Sequence, residues 1–557
     1  MQTVSEAFVR ASKADMTAPL CRVSLFGNNL AFRKTITVTS SLAGWEGAKA
    51  VDAVIEDSGG WSSQNVGSET PVVPETITID LLWQTEVDEV ILYPRITAGT
   101  VYCFPVDFTI QVSKDNTVWV TVITQAGYLL PSNQNGETFT FDKQICRYVR
   151  ISTTKFRQSP ELYWTVQFAE VQVMKQPVVI SGNNPAVAEN YVLSVGDINW
   201  ELDTTGQNVW KSGNVRIEVD NSDNVWSPDN GEGLFAYQRY FGAKVSIDAG
   251  FVLEDGTAEL VPIFRGQLQD AMRHSDTIVS TLTAYDYWER LERVDISGVK
   301  DTATGLWYAN KQVDFLVRQI FVAAGLTRFE FVIEAAVTII PTADFTELNA
   351  QQGISWLAEV MNYECGIDSK GIGFFRSRQS GVLTNFEVRN KKNGDKNLIS
   401  VSNIDIGIGG VTNHWSTINS TGATLSKEPS GLRPNSYDRF GHIKKELVNK
   451  FLSQLSDANI SAVLEQYFSM YSEPKMGADC EIVFSPQIEV GDVHEVTQQE
   501  TQSQAKNQLT WDSNEAWDSD FTWGSFESYL VWERVMKIVG LSIDLSGFTM
   551  RLKYKEV

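Results

Sequence analysis

Four histidines, five cysteines and 69 acidic residues are the side chains of this 557-residue sequence that could bind a metal, attack a carbonyl or carry a proton. His274, His414, His442 and His494 are too far apart in the chain for any two to form a local ligand pair. Cys21, Cys103, Cys146, Cys365 and Cys480 are odd in number and never at CxxC spacing. That pattern argues against a disulfide framework and a zinc site, and for buried free thiols made in a reducing compartment. No GxSxG, Walker loop or GxGxxG occurs. The glycine-rich IGIGGV (406–411) lacks the Lys-Ser/Thr of a phosphate cradle. Asp220-Asn221-Ser222-Asp223 carries the oxygens of a calcium loop without its later Glu, and reads as a turn. Counting carboxylates neither supplies nor removes a glycosidase pair. The expectation is a protein that is not an enzyme, with no cofactor and no metal.

Charge and length narrow the class further. The net charge is −23, the reverse of a phosphate-gripping surface, so sequence-specific nucleic-acid binding is not expected. An acidic surface suits solubility, or a channel wall past which DNA slides without sticking. No stretch reaches the roughly 18 apolar residues of a membrane span. MQTVSEAFVRASKADMTAPL (1–20) has no apolar core of a secretory signal. Stable membrane insertion is therefore not expected. Sixteen Trp residues fit a β-rich chain, and its length calls for three or four domains.

The elements follow from periodicity. AKAVDAVIEDSGGWSSQNVG (48–67) keeps neither a 3.6 nor a 2.0 period across Asp57-Ser58-Gly59-Gly60, and reads as an ordered loop that displays Trp61. Before it lie CRVSLFG (21–27), a strand, and an ITVTSS run. TITIDLLW (76–83) and VDEVILYPRI (87–96) are strand candidates. FTIQVS (108–113) alternates, turns at Lys114-Asp115-Asn116 and returns as VWVTVI (118–123), a hairpin. CRYVRIST (146–153) and FAEVQVM (168–174) complete an all-β stretch that reads as a sandwich. QPVVISGNNPAVAEN (176–190) is a linker, and VRIEV (215–219), AKVSIDAGF (243–251), PIFRGQLQDA (262–271) and DTIVSTLTAYDYWERL (276–291) form a second β-region. Helical spacing predicts helices over 312–325, 349–366 and 456–473, the last capped by Asp457. GIDSKGIGFFRSRQ (366–379) reads as a hairpin. EIVFS (481–485), EVGDVHEVT (489–497), RVMKIVGLSIDLSG (534–547) and FTMRLKYKEV (548–557) read as barrel strands. Between them the acidic, Trp-rich 508–532 reads as an exposed loop.

Five ordered pieces between 36 and 178 resemble the discoidin (F5/8 type C) family: AKAVDAVIEDSGGWSS, ILYPRI, FTIQVSKDNTVW, RYVRI and AEVQV. Ala53 stands where the family's Ala-x-Asp-Gly opening has Gly, and the resemblance places Trp119 in the core. It also implies a β-sandwich whose end loops bind sugars or lipid headgroups in many members. A sugar site needs flat apolar faces and planar hydrogen-bonding groups. On that basis the candidates are Trp61, Arg95, Tyr102, Phe104, Phe156, Arg157, Tyr163 and Trp164. A core plug for Trp61, or a domain kept only as a spacer, is the competing reading.

The remainder resembles the tail-hub (baseplate hub) proteins of tailed phages and related injection machines. VRIEVDNSDNVWSP, FRGQLQDA, VDFLVRQIFVAAGL, ISWLAEVMNYECGIDSKGIGFFRSR, VGDVHEVT and VGLSIDLSGFTMRLKY occur in the family's order. The resemblance implies a mainly β chain with two hub β-barrels, an α+β domain and trimers whose six barrels form a ring. The expected domains are a first barrel from 1–35 and 179–297, an inserted sandwich at 36–178, an α+β domain at 298–400 and a second barrel at 401–557. The implied setting is the tail tip of a virion assembled in the host cytoplasm. The implied partners are tail-tube or distal-tail proteins, tip or fibre proteins and a host surface glycan. A carbohydrate-active enzyme or lectin carrying a discoidin module is the alternative, and a domesticated injection device or gene transfer agent would read the same way.

Overall fold

The computed structural model describes residues 1–13, 19–56, 59–97, 99–181, 191–202, 209–227, 230–237, 241–273, 278–301, 303–378, 383–390, 397–405, 408–431, 435–500 and 530–556. The chain is mainly β, with an α+β module and an inserted sandwich. His274, positions 406 and 407 of the glycine-rich stretch and positions 508–529 of the Trp-rich stretch lie outside the described residues.

A first antiparallel sheet runs in the order Val178–Val179, Pro19–Leu25, Lys244–Val252, Ala258–Arg273, Val279–Asp286, Asn214–Asp220, Val192–Val195. Val215, Ile217 and Val219 alternate inward against Val245, Ile247 and Ala249, so the period-2 pattern becomes the core. Its two edges are bridged at one point. Ile180 N donates to Val23 O (2.9 Å), Tyr191 N to Ile180 O (3.0 Å) and Asp220 N to Tyr191 O (2.7 Å). This bridge rolls the sheet towards a barrel. The helix Glu6–Lys13 lies outside the expected elements, and its Phe8 meets Phe251 edge-on at 5.1 Å.

A second sheet runs in the order Leu383–Asn390, Val493–Glu500, Leu530–Asp544, Thr549–Glu556, Gly477–Val483, Leu398–Asp405. Ile198–Glu201, which follows the last strand of the first sheet by two residues, pairs instead with Leu530–Asp544. Trp200 lies 6.3 Å from Phe264, and Phe251 lies 5.9 Å from Phe484. One hydrophobic core therefore serves both sheets.

The third unit holds helices Val313–Ala323, Ala350–Met361 and Asp457–Tyr471 with short strands. Three expectations are corrected here. The second sheet begins at Leu383, before the expected boundary at 401. The described residues between 411 and 471 are not part of that barrel either: Trp415, Phe451, Leu464 and Tyr467 pack into the α+β core. Ser456, not Asp457, caps the third helix, because its side chain accepts from Asn459 N. The two units meet at a buried ionic group. Glu364, with no solvent exposure, accepts from Arg376 Nε (2.6 Å) and Lys537 Nζ (2.9 Å).

The inserted sandwich has its own core. TITIDLLW and VDEVILYPRI are not two strands but one, Glu75–Tyr93, which runs beside Glu137–Lys155 through both halves of the sandwich. The register breaks between Asp80 and Thr85, where Leu82 takes a left-handed φ of 76°. Before the break the strand pairs with Thr35–Val38, and after it with Glu170–Met174. Asp107–Ser113 and Val120–Gln125 form the expected hairpin. Trp119 is not in the core as expected. It is half-buried beneath the Arg150 guanidinium, 3.9 Å from its ring. Residues 29–35 belong to the sandwich rather than to the barrel, because Leu30 N donates to Val173 O (2.7 Å) and Ala31 is buried in the sandwich core.

Two outcomes follow. Replacing 28–175 by a short Gly–Ser linker is expected to leave a body that melts cooperatively by circular dichroism, because both ends of the insertion sit on one strand pair; a non-cooperative melt would contradict this. Glu364→Ala is expected to destabilise the full chain by about 3 kcal/mol in chemical denaturation, because it leaves the nearly buried Lys537 without its carboxylate.

Candidate functional site

Trp61 is not displayed. It is 1% exposed, stacks on Phe168 at 6.0 Å and donates through Nε1 to Ser40 O (3.0 Å). Gly60 makes this approach possible at φ +97°, since a Cβ there would meet Phe168 O and lie 2.7 Å from Ala169 Cα. Ser62 and Ser63 are buried as well. Ser63 Oγ lies 2.9 Å from Thr165 Oγ1 and accepts from Val166 N (3.1 Å). The Trp-Ser-Ser stretch is thus a wedge with satisfied hydroxyls. Phe104 and Phe156 are also fully buried. Phe104 meets Phe108 and Phe168 edge-on, at 6.2 and 5.8 Å. These three rings shape the end of the sandwich and offer no face to solvent.

The other candidates gather in two neighbouring groups. In the first, the Arg95 guanidinium lies 3.5 Å from the centroid of the half-buried Trp45 ring and donates from Nη1 to Gln167 Oε1 (3.2 Å). Tyr102 N donates to Arg95 O (3.4 Å), closing the hairpin that carries both residues. Gln167 Nε2 donates to Ser62 Oγ (3.2 Å), which ties this group to the buried wedge. Trp45 and Gln167 were missed in the sequence. The Gly-Trp-Glu-Gly setting of Trp45 was the available signal, a large aromatic inside a turn.

In the second group Arg157 pairs with Thr165 and Gln158 with Trp164 in a two-stranded ribbon. Trp164 also exchanges backbone bonds with Val66 (2.9 and 3.2 Å). Arg157 Nη2 donates to Tyr128 O, and burial holds this guanidinium below its ordinary pKa. Tyr163 and Leu162, at the ribbon tip, are 52% and 73% exposed. A flat aromatic and a fixed guanidinium, here carried by one ribbon, are the residue types that sugar recognition needs.

Acid–base and metal chemistry is thin elsewhere. Burial pushes Cys103, Cys146 and Cys480 up to about 12, away from thiolate reactivity. His494 is buried against Tyr554 OH (2.7 Å) and is pushed down to about 3, mainly by burial. The fold brings His414 Nδ1 and His442 Nε2 to 2.7 Å, with Tyr437 OH 3.2 Å from His414. Asp220, Asn221 and Asp223 each accept a backbone N–H from the following turn, as a turn requires. Among the described residues no group of three His, Cys, Asp or Glu side chains is placed to hold a metal ion.

Two carboxylates of the domain, Asp52 and Glu170, lie within each other's field. Glu170 Oε2 accepts from Ala53 N (3.1 Å), while its Oε1 is buried without a hydrogen-bond partner. Burial, then the Asp52 carboxylate, push Glu170 well above the carboxylate range, and burial pushes Asp52 up to about 6.

Residues 35–171 match the family model described as F5/8 type C domain, and this stretch is such a domain. No curated protein matches the chain. Among solved structures, chitosan-binding module 1 from a chitosanase/glucanase of Paenibacillus sp. IK-5 is 28% identical, covering 26% of this chain and 98% of that one, with a TM-score of 0.21. The family 32 CBM of Clostridium perfringens NanJ, solved with galactose, is 19% identical over 27% of this chain and 99% of that one, with a TM-score of 0.22. A tail protein from Neisseria meningitidis is 9% identical over 66% of this chain and 92% of that one, with a TM-score of 0.41.

The buried carboxyls give the domain a pH dependence of definite sign. Folded, Asp52 and Glu170 keep protons that the unfolded chain loses above its ordinary values of 3.8 and 4.5. Their stabilising contribution is full below those values and is lost as pH rises through the raised folded values, about 6 for Asp52. In divalent-free buffer, Glu170→Gln is expected to flatten the fall of melting temperature above about pH 4. An unchanged slope would assign the dependence to other groups.

Proposed function

We propose that this chain is a non-catalytic structural subunit of a phage-type tail, a trimeric tip hub whose F5/8 type C domain binds surface glycans. The observation that carries the glycan half is the F5/8 type C domain itself, hung on a barrel edge by paired strand ends, with Arg157, Trp164 and the exposed Tyr163 together on one ribbon. The hub half is supported by the ordered motifs and by two sheets rolled around one core. In this reading the barrels build a threefold ring around a lumen, join the tail tube to tip or fibre proteins, and present an acidic surface to passing DNA. The net charge of −23 suits that role. Three domains per ring would act together, so a weak single-site affinity becomes useful adsorption.

The contacts that dock the domain leave this ribbon aside. They include Tyr93 stacked on Phe329 (6.2 Å), Thr85 Oγ1 donating to Tyr237 O (2.9 Å) and the Arg318–Glu56 ion pair (3.8 Å). The domain therefore has a held side, and the candidate residues belong to other loops.

Light scattering is expected to give a mass near three times 62.2 kDa, with threefold particles in electron micrographs. A monomer that cleaves a polysaccharide would overturn the structural reading. On a glycan array, Tyr163→Ala and Arg157→Ala are each expected to weaken any captured glycan about tenfold. A bound glycan indifferent to both would move the site to the Trp45–Arg95 group.

A further inference from the structure

The inserted domain, the first barrel and the α+β module meet around a cavity of about 320 Å³. The domain contributes Tyr93 and Gln172, the barrel Lys244 and Gln267, and the α+β module Arg290 and Glu330. Gly325, at φ +85°, lets the module's backbone pass close to Phe32. A Cβ there would lie 2.6 Å from that ring and 3.2 Å from Arg290 Nη2. The close approach leaves the guanidinium on the cavity wall.

The charges on this wall do not cancel. Both Lys244 and Arg290 feel the field of one carboxylate, Glu330. Glu330 Oε2 is already occupied by Thr327 N (2.8 Å) and Thr327 Oγ1 (2.9 Å). Arg265, also near Lys244, is committed to Asp248. Two cations and one carboxylate leave an excess of one positive charge. Burial disfavours both cations, a cost that an anion between them would offset. The remaining wall mixes amides, a hydroxyl and phenols with the apolar side chains of Phe32, Met174, Leu326 and Phe329. The volume is at the lower end of small-molecule sites, larger than a bare ion requires.

We propose that this junction cavity binds a small hydroxylated carboxylate, the size of a single sugar acid, with its carboxylate between Lys244 and Arg290 and its hydroxyls on Gln172 and Gln267. A phosphate dianion fits less well, since it would exceed the positive charge and face Glu330. The occupant would touch all three units and so pin the inserted domain against the body. This site is separate from the ribbon of Arg157 and Tyr163, and it stands whether or not the chain is a tail hub.

The test uses the full chain and sodium D-glucuronate as probe, by titration calorimetry and thermal shift at constant ionic strength, with D-glucose and inorganic phosphate in parallel. Saturable binding of glucuronate at one site per chain with a rise in melting temperature is expected, with weaker binding of phosphate and none of glucose. Lys244→Gln and Arg290→Gln are each expected to weaken glucuronate about tenfold. Glu330→Gln removes the competing carboxylate and is expected to tighten it, a gain that a misfolded chain cannot show. Arg157→Ala is expected to bind as the parent does. Absence of saturable binding, equal binding of glucose, or a signal lost with Arg157 and kept with Arg290→Gln would overturn the proposal.

Discussion

The strand Pro19–Leu25 holds the architecture together because it is bonded on both sides. On one side it pairs along its whole length with Lys244–Val252, and on the other Ser24 and Leu25 face Val179 and Val178. The chain leaves this strand at Phe26 and returns at Pro177, so the ends of a long insertion sit one strand spacing apart. Gly27, at φ +93°, makes the exit, and a Cβ there would lie 3.2 Å from the Pro177 ring. Closure of such a loop costs little more as the loop grows, and the inserted domain recovers it with a core of its own. The position and direction of that domain, its stacking of Tyr93 on Phe329 and the cavity beneath follow from this one pairing.

The second constraint is electrostatic. Apolar packing joins the two sheets, but the contact between the second sheet and the α+β module includes a dry carboxylate with two cations. Arg376 also donates to Val490 O (3.1 Å) and Lys537 to Arg378 O (3.1 Å), so each cation bridges the units by more than its charge. A buried ionic group is weak evidence for stability but strong evidence for register, because a small slide would leave charges unpaired. The geometry therefore favours one docking of these units over a set of similar ones.

Much of this was legible in the sequence, for a physical reason. Where one face of a strand is buried, as at Val215, Ile217 and Val219, alternation records it directly. Helices with a single apolar stripe, such as Val313–Ala323, were equally plain. What failed depended on distant partners. Nothing local says that Glu75–Tyr93 continues through a left-handed Leu82, since that depends on Glu137–Lys155 running beside it. Nothing local assigns 411–471 to the α+β core, since Trp415 finds Tyr467 and Tyr471 only in the fold. Trp61 shows the same limit at a single residue. A Trp after Gly-Gly can be displayed or driven inward, and the choice lies with Ser40 O and the Phe168 ring.

The same limit shaped the candidate site. Residue type singled out aromatics and guanidiniums, and the fold divided them by burial. Trp61, Phe104 and Phe156 became the floor of the loop end, while Arg95, Arg157, Tyr163 and Trp164 remained at its surface layer. The floor matters to the surface, because each arginine is held by a loop that the floor supports. Arg157 is anchored on Tyr128 O, and the Tyr128 ring packs on Phe104 and Phe108 at 5.7 Å each. Arg95 lies over Trp45 and is tied through Gln167 to the serines beside Trp61. The Arg95 guanidinium takes up one face of the indole, buries its Nε and commits Nη1 to Gln167. At that group a ligand would meet a guanidinium held in place by the fold, and at the ribbon an exposed tyrosine face. One end of the domain thus combines directional hydrogen bonding with an apolar platform, and the rotamer freedom that binding would otherwise cost at the arginines is already restricted by the fold.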